Sequence, residues 1–254
     1  HTLRNAIRYG KQRLAFGKPI TSFGLMQQKI ADMAAGIFAG EALVYRVVGA
    51  IDAALAALPP DAPSSEVQKR IEDYAVECSI VKVWCSEMLD RAVDANLQIY
   101  GGYGYVEEYP AERAYRDARI NRIFEGTNEI NRLLIVDMIL KRAMKGELDL
   151  MGPAQQVASE LVGIPEFSEP DDTLFAYEKK LVANFKKAIL LIAGGAVQKL
   201  MTTLSKEQEI IMNIADMAIE TYAAESTLLR VEKLVSMRGE AACTEHLAIM
   251  RSYI

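Results

Sequence analysis

Histidine occurs twice, tryptophan once and cysteine three times in this chain of 254 residues. These scarcities exclude whole classes of chemistry. Cys78, Cys85 and Cys243 lack the count and spacing of a disulfide framework, and with only His1 and His246 beside them they cannot build a zinc site. Cys78 and Cys85 are two helical turns apart and read as packing residues on one buried helix face, in a reducing compartment. A basic excess is missing as well. With a formal net charge of -5 the chain carries no electrostatic footprint for nucleic acid. The longest uninterrupted apolar run, Ala188 to Val197, contains Gly194-Gly195 and falls short of the ~20 residues a bilayer-spanning helix needs. No secretory signal is visible. The chain starts without an initiator Met, partway through an amphipathic pattern at Thr2–Tyr9, and ends abruptly at Ile254, so it reads as a piece of something larger.

What is abundant is helix-forming material: hydrophobic residues make up 51% of the chain and aromatics 7%, with Ala, Leu, Ile and Met prominent. Apolar positions recur at helical spacing throughout, and no alternating strand pattern or internal repeat stands out. The first helix is expected to run to about Phe16 and to stop at Gly17-Lys18-Pro19. A second runs from near Thr21–Phe23 to about Leu58, where Pro59-Pro60 breaks it. Ser65 and Gln68 form a capping-box pair opening a third long helix, which continues to about Leu97 and ends at Gly101-Gly102-Tyr103-Gly104. A short helix over Ala111–Ala118 and one from Thr127 or Asn128 to about Lys145 follow. Two more long helices are expected over 173–204 and 207–235, with Ser205 and Gln208 as another capping pair, and a last one after Gly239. Long helices with short connections give an all-α antiparallel helical bundle followed by a second α-helical segment. The expected organisation is a bundle over 1–150, a linker over 151–172, and an additional, truncated helical domain over 173–254.

Three clusters at the helix ends have the residue types that chemistry needs. Arg13-Leu14-Ala15-Phe16-Gly17-Lys18-Pro19-Ile20 offers a planar guanidinium for a phosphate and an aromatic face for stacking, or else forms a solvated cationic helix end. Gln98-Ile99-Tyr100-Gly101-Gly102-Tyr103-Gly104 offers exposed backbone N–H groups, or else is a plain C-cap turn; no strand precedes it, so it is not a dinucleotide fingerprint. Phe124-Glu125-Gly126-Thr127 places one carboxylate beside apolar Ile123 and Phe124, just before a helix. Desolvation by those neighbours would push the Glu125 carboxyl toward the range of a general base; the alternative is a solvated loop carboxylate near a helix N-terminus.

In this order and at these separations, the clusters resemble the C-terminal domain of the acyl-CoA dehydrogenases. The residues carrying the match are Arg13–Ile20, Gln98–Gly104, Tyr109-Pro110 with Arg116–Ile120, and Ile123–Arg132. Gly24 after Phe23, and the extra helical segment, resemble the very-long-chain branch. The resemblance implies oxidation of an acyl-CoA thioester to a trans-2-enoyl-CoA with FAD as cofactor. Glu125 matches the base that takes the pro-R α-proton while the β-hydrogen leaves as hydride, and Gly126 lets the thioester pass close to the backbone. Arg13 and Phe16 match contacts to the FAD pyrophosphate and adenine region. Gln98, Gly101 and Gly102 match a loop reaching the FAD of a neighbouring subunit, and Thr127 and Glu129 match further FAD contacts. Ala15 replaces a hydroxyl residue found in some members.

The same resemblance implies a long-chain acyl-CoA substrate, an electron-transfer flavoprotein as acceptor, a homo-oligomer (dimer favoured), and a bacterial cytoplasmic or mitochondrial-matrix location. Membrane association is possible but not indicated. The family's N-terminal helical and middle β-domains are absent from this chain, so it is expected to be inactive alone. Two alternatives stand beside this reading: an acyl-CoA oxidase, and a non-catalytic assembly protein that has kept the bundle.

Overall fold

Helix boundaries follow the punctuation in the sequence. The computed structural model describes residues 1–163 and 173–254. Within them α1 spans Thr2–Gln12, α2 Gly24–Ala56, α3 Ser64–Glu72, α4 Ala75–Tyr100 and α5 Pro110–Arg119. α6 spans Asn128–Met144, α7 Met151–Val162, α8 Ala176–Leu200, α9 Gln208–Arg238 and α10 Thr244–Tyr253. α2 stops shortly before Pro59-Pro60, which cannot supply the N–H groups of a continuing helix. Pro110 opens α5 at a position whose N–H has no intrahelical partner in any case. Thr127 caps α6, its hydroxyl accepting the Ile130 N–H at 3.3 Å.

The structure corrects several boundaries. α1 ends at Gln12, short of Phe16, because Leu14–Ala15 and Lys18–Pro19 pair as a small antiparallel hairpin. Its two turn residues, Phe16 and Gly17, both have positive φ (51° and 79°), as a tight hairpin matched to strand twist requires. The long helix expected over 65–97 is broken at Asp73–Tyr74 into α3 and α4. α3 buries no residue, so no packing holds it collinear with α4, and Gln68 donates to Glu72 instead of closing a box with Ser65. Ser205 lies in the 3-10 segment Met201–Lys206, and Glu207 precedes α9 without a side-chain cap. The expected linker contains α7, which packs on α8; residues 164–172 lie outside the described residues. Cys78 is exposed, while Cys85, further along α4, is half-buried beside Gly40.

The packing merges the two expected parts. One core joins Ala39 and Leu43 of α2, Val83 and Trp84 of α4, Ile135 of α6, and Ile211, Ala215 and Ile219 of α9. α9, from the second segment, is thus a wall of the same core as α2, α4 and α6, and the 151–172 stretch divides the sequence without dividing that core. Burying Leu43 and Ile135 completely contributes about 2 kcal/mol each. A second cluster gathers Phe38, Val182, Leu228, Val231, Leu247 and Met250 from α2, α8, α9 and α10, and a third packs Ala6 of α1 against Met33, Ala92 and Ile99. Arg46 of α2 reaches Glu225 of α9 at 2.9 Å and lies over the Tyr222 ring at 4.2 Å. Among the described residues two segments, Gly24–Ala56 (α2) and Ala176–Lys206 (α8 with the 3-10 segment that follows it), are long and apolar enough to cross a membrane by length and composition. The first is a core helix; the second leaves nearly all of its apolar window unburied.

Candidate functional site

The Glu125 loop is built between a 3-10 turn and the start of α6. The turn, Ile120–Arg122, is closed by N–H groups of Ile123 and Phe124, both donating to the Ile120 carbonyl at 2.9 and 3.1 Å. The backbone then takes two successive left-handed residues, Glu125 (φ 56°) and Gly126 (φ 77°). Glycine suits the second position, where a Cβ would also lie 3.1 Å from Asn131 Nδ2. At Glu125 the same conformation costs about 1 kcal/mol and persists only when neighbours over-determine it.

Those neighbours are polar and converge on one atom. The Gly126 carbonyl accepts from Lys82 Nζ at 2.7 Å and from Asn131 Nδ2 at 2.9 Å. Lys82 also donates to Asn128 Oδ1 at 2.7 Å. The buried Asn128 amide donates to Ser86 Oγ and to Glu87 Oε1, each at 3.0 Å. Arg132 grips both oxygens of Glu87 at 2.7 and 3.0 Å and reaches Asp216 of α9 at 2.6 Å. Burial opposes the Glu87 charge, but hydrogen bonds from Arg132 and Asn128 outweigh it and hold the carboxyl below its usual range. The Glu87 hydrogen bond drives Arg132 upward, against burial. Burial pulls the Lys82 ammonium down, opposed by the charges of Glu129, Glu87 and Glu125. Glu129 is held low by its own backbone N–H and the Thr127 hydroxyl.

The expected desolvation of Glu125 is not supplied by the described residues. Glu125 is exposed, and Ile123 and Phe124 are each 48% exposed. The loop therefore holds the backbone of Glu125 in place and leaves its carboxylate exposed beside apolar Ile123 and Phe124.

A second site forms at the far ends of α1 and α4. A groove of about 830 Å³ is lined by Arg13, Phe16, Phe23, Gly101, Gly102 and Tyr103, among others. Phe16 is 95% exposed, its ring held outward by the hairpin turn. The Arg13 guanidinium sits over the Tyr103 ring at 5.4 Å. Tyr9 stacks on Tyr100 with ring centroids 4.0 Å apart and donates its hydroxyl to the Tyr100 carbonyl at 3.2 Å, fixing α1 to the start of the glycine loop. Gly104 is required by close approach, since a Cβ would lie 2.4 Å from the Leu97 carbonyl oxygen.

The structure thus brings Arg13, Phe16, Gly101 and Gly102 together, and separately Glu125, Gly126, Thr127 and Glu129. Gln98 is exposed and outside the groove lining; its carbonyl accepts the Gly101 N–H and so shapes the loop. Sequence reasoning missed Tyr103, whose glycine-loop position was visible, and Lys82, Asn128 and Asn131, whose convergence on one carbonyl depends on how α4 meets α6.

Comparison with known proteins identifies the family. Residues 1–140 match the family model "Acyl-CoA dehydrogenase, C-terminal domain", and residues 184–254 match a second model of the same description. A "Probable acyl-CoA dehydrogenase" of Bacillus subtilis (strain 168) is 46% identical over 234 residues, covering 91% of this chain and 39% of that protein. The crystal structure of an acyl-CoA dehydrogenase complexed with FAD from Bacillus anthracis superposes with a TM-score of 0.96 at 44% identity, over 99% of this chain and 43% of that one. An acyl-CoA oxidase of Yarrowia lipolytica shares the fold, with a TM-score of 0.71 at 15% identity, over 99% of this chain and 39% of that one. The chain spans about two fifths of the length of these relatives. On these matches, over both helical segments and at close superposition, the chain belongs to the acyl-CoA dehydrogenase family.

Proposed function

We propose that the chain is the C-terminal part of an FAD-dependent acyl-CoA dehydrogenase, in which Glu125 takes the α-proton of an acyl-CoA thioester. The observation that carries this reading is Glu125 itself, a carboxylate on a left-handed turn whose backbone the protein holds with two side-chain donors, beside an apolar rim. A thioester α-proton is far less acidic than a carboxylic acid, so the base must act in a dry, pre-arranged site. Ile123, Phe124 and the acyl chain would form part of that cover, and segments outside this chain the rest. Gly126 leaves room for the thioester, and the Glu125 N–H is available to its carbonyl oxygen.

The groove fits the nucleotide end of FAD on its own chemistry. Arg13 supplies a fork for the pyrophosphate, Phe16 a free aromatic face for the adenine, and Gly101 and Gly102 leave open space where a Cβ would stand. Gln98 sets that loop by its carbonyl, and Thr127 and Glu129 would add contacts from the Glu125 side. Because the groove and the Glu125 loop are separate, the reading assigns the groove to the FAD of a neighbouring subunit in a homodimer. Bound FAD supplies the acceptor for the hydride that leaves the β-carbon. Long-chain acyl-CoA as substrate, electron-transfer flavoprotein as acceptor, and a bacterial cytoplasmic or mitochondrial-matrix setting complete the proposal. Without the remaining segments the chain alone turns nothing over.

Acyl-CoA-dependent bleaching of the flavin in the full-length enzyme tests this, wild type beside Glu125→Gln. The variant should bind FAD and acyl-CoA and stay oxidised. A Glu125→Gln enzyme that bleaches at the wild-type rate removes Glu125 as the base.

A further inference from the structure

One cation lies against the Glu125 turn, and the reaction as described gives it no task. Lys82 projects from α4 to the point where the turn becomes α6. Two of its three donors are accounted for: one goes to the Gly126 carbonyl and one to Asn128 Oδ1, both at 2.7 Å. Asn128 is the first residue of α6 and is 2% exposed, so the ammonium ties the turn to a fixed helix start. Asn131 holds the same carbonyl from the other side. An amide at position 82 would suffice for a carbonyl clamp alone. The protein instead places an ammonium where burial works against it, which makes sense if the charge is used.

The charged groups facing Lys82 sharpen the point. From α4 comes Glu87, already gripped by Arg132. From α6 come Glu129, bonded to its own N–H and the Thr127 hydroxyl, and Arg132, which also binds Asp216 of α9. Arg122 of the 3-10 turn is committed to Asp90 at 3.1 Å. Glu125 is the carboxylate of the set that has no ion pair or side-chain hydrogen bond among the described residues.

We propose that Lys82 is a positioning residue for the base: its ammonium clamps the Gly126 carbonyl to fix the Glu125 turn, and the positive charge of that ammonium, not only its donors, serves the reaction. This rests on Glu125 being the base.

The test uses the full-length, FAD-loaded enzyme with Lys82→Gln, which keeps a donor without charge, and Lys82→Arg, which keeps charge with different reach. Flavin bleaching by saturating acyl-CoA is followed against pH, and amide hydrogen exchange of residues 125–130 is followed without substrate. If the charge is used, Lys82→Gln should move the acid limb of the rate profile about one unit to higher pH. Lys82→Arg should leave the limb in place, while its changed geometry lowers the saturating rate about 10-fold or more. Exchange at 125–130 should be faster in both. Unchanged flavin content and melting show that either variant is folded. An acid limb in Lys82→Gln that coincides with wild type, or unchanged exchange in both variants, overturns the proposal. The Glu125→Gln control separates the two readings: if it still bleaches, the base assignment fails; if it is silent and Lys82→Gln behaves as wild type, only the role of Lys82 fails.

Discussion

Replacing Arg132 by Met should expose how much of the site rests on one side chain. The Arg132 side chain is 12% exposed and that of Glu87 22%, and the two are joined by two bonds of 2.7 and 3.0 Å. A third bond, to Asp216 at 2.6 Å, ends on a carboxylate that is 47% exposed and counts for less because solvent screens it. Methionine keeps most of the apolar stem but leaves part-buried Glu87 with the Asn128 amide as its one hydrogen-bond partner among the described residues. Breaking a buried pair costs about 3–5 kcal/mol; discounted for residual exposure, the expected loss is about 2–3 kcal/mol. Urea unfolding of the chain, followed by far-ultraviolet circular dichroism, measures it. The pH dependence gives an independent check. Glu87 lies below its unfolded value in the wild type, so its contribution is present above about pH 4.3 and is lost as pH falls through the lower, folded value. Without Arg132, burial pushes Glu87 up, so the variant already carries a protonated, cheaper group in the acid range. The gap between wild type and Arg132→Met should therefore be widest near neutrality and narrow toward pH 4. A variant within 0.5 kcal/mol of wild type at pH 7, or a gap that does not change with pH, would refute the reasoning (about 0.5 kcal/mol being the scatter of ordinary surface substitutions).

Gly126→Ala should cost about 1–2 kcal/mol in the same unfolding assay, because it puts a Cβ at φ 77° and 3.1 Å from the Asn131 amide; a neutral result would show that the turn is not held as described. Leu43→Ala, at a fully buried position of the shared core, should lose about 2–5 kcal/mol and depress the melting of both helical segments together. Separate transitions for the two segments would contradict a common core. Thiol labelling at pH 8 should order the cysteines. Cys78 is exposed and reacts first; Cys85, pushed by burial up to about 11, lags; and Cys243, fully buried, waits for unfolding. Equal rates at Cys78 and Cys85 would rule this order out.

Sequence reading succeeded where a local signal suffices. Pro59-Pro60 and Gly239 end or start helices because backbone chemistry is encoded residue by residue. The Glu125-Gly126-Thr127 step was legible for the same reason: a carboxylate, a glycine and a cap residue in a row specify a turn into a helix. It failed where a neighbour decides. The break between α3 and α4 has no strong punctuation, and only the lack of anything to bury along α3 ends the alignment. The hairpin at Leu14–Pro19 required Phe16 to take a left-handed conformation that its side chain does not advertise. The expected desolvation of Glu125 was inferred from sequence neighbours, but adjacent residues on a turn point outward, and covering requires a surface that Ile123 and Phe124 do not provide for each other. Lys82 lies 43 positions before Glu125, so only the packing of α4 against α6 reveals that they share a site.

That packing also explains why the second helical segment matters to a site it does not line. A left-handed glutamate persists only if its surroundings leave it no alternative. Lys82 and Asn131 hold the Gly126 carbonyl, Asn128 holds Lys82, Glu87 holds Asn128, and Arg132 holds Glu87. The last member leans on Asp216 of α9, whose position is set by Ile214, Ala215 and Ile219 in the core it shares with α4 and α6. Each of these groups is charged or part-buried, so a slack member leaves the next one unpaired in a poorly solvated place. The stiffness of the Glu125 turn is therefore a property of three helices, one of which comes from beyond residue 172, and a substitution on α9 that moved Asp216 would be felt at the turn without touching anything that binds there.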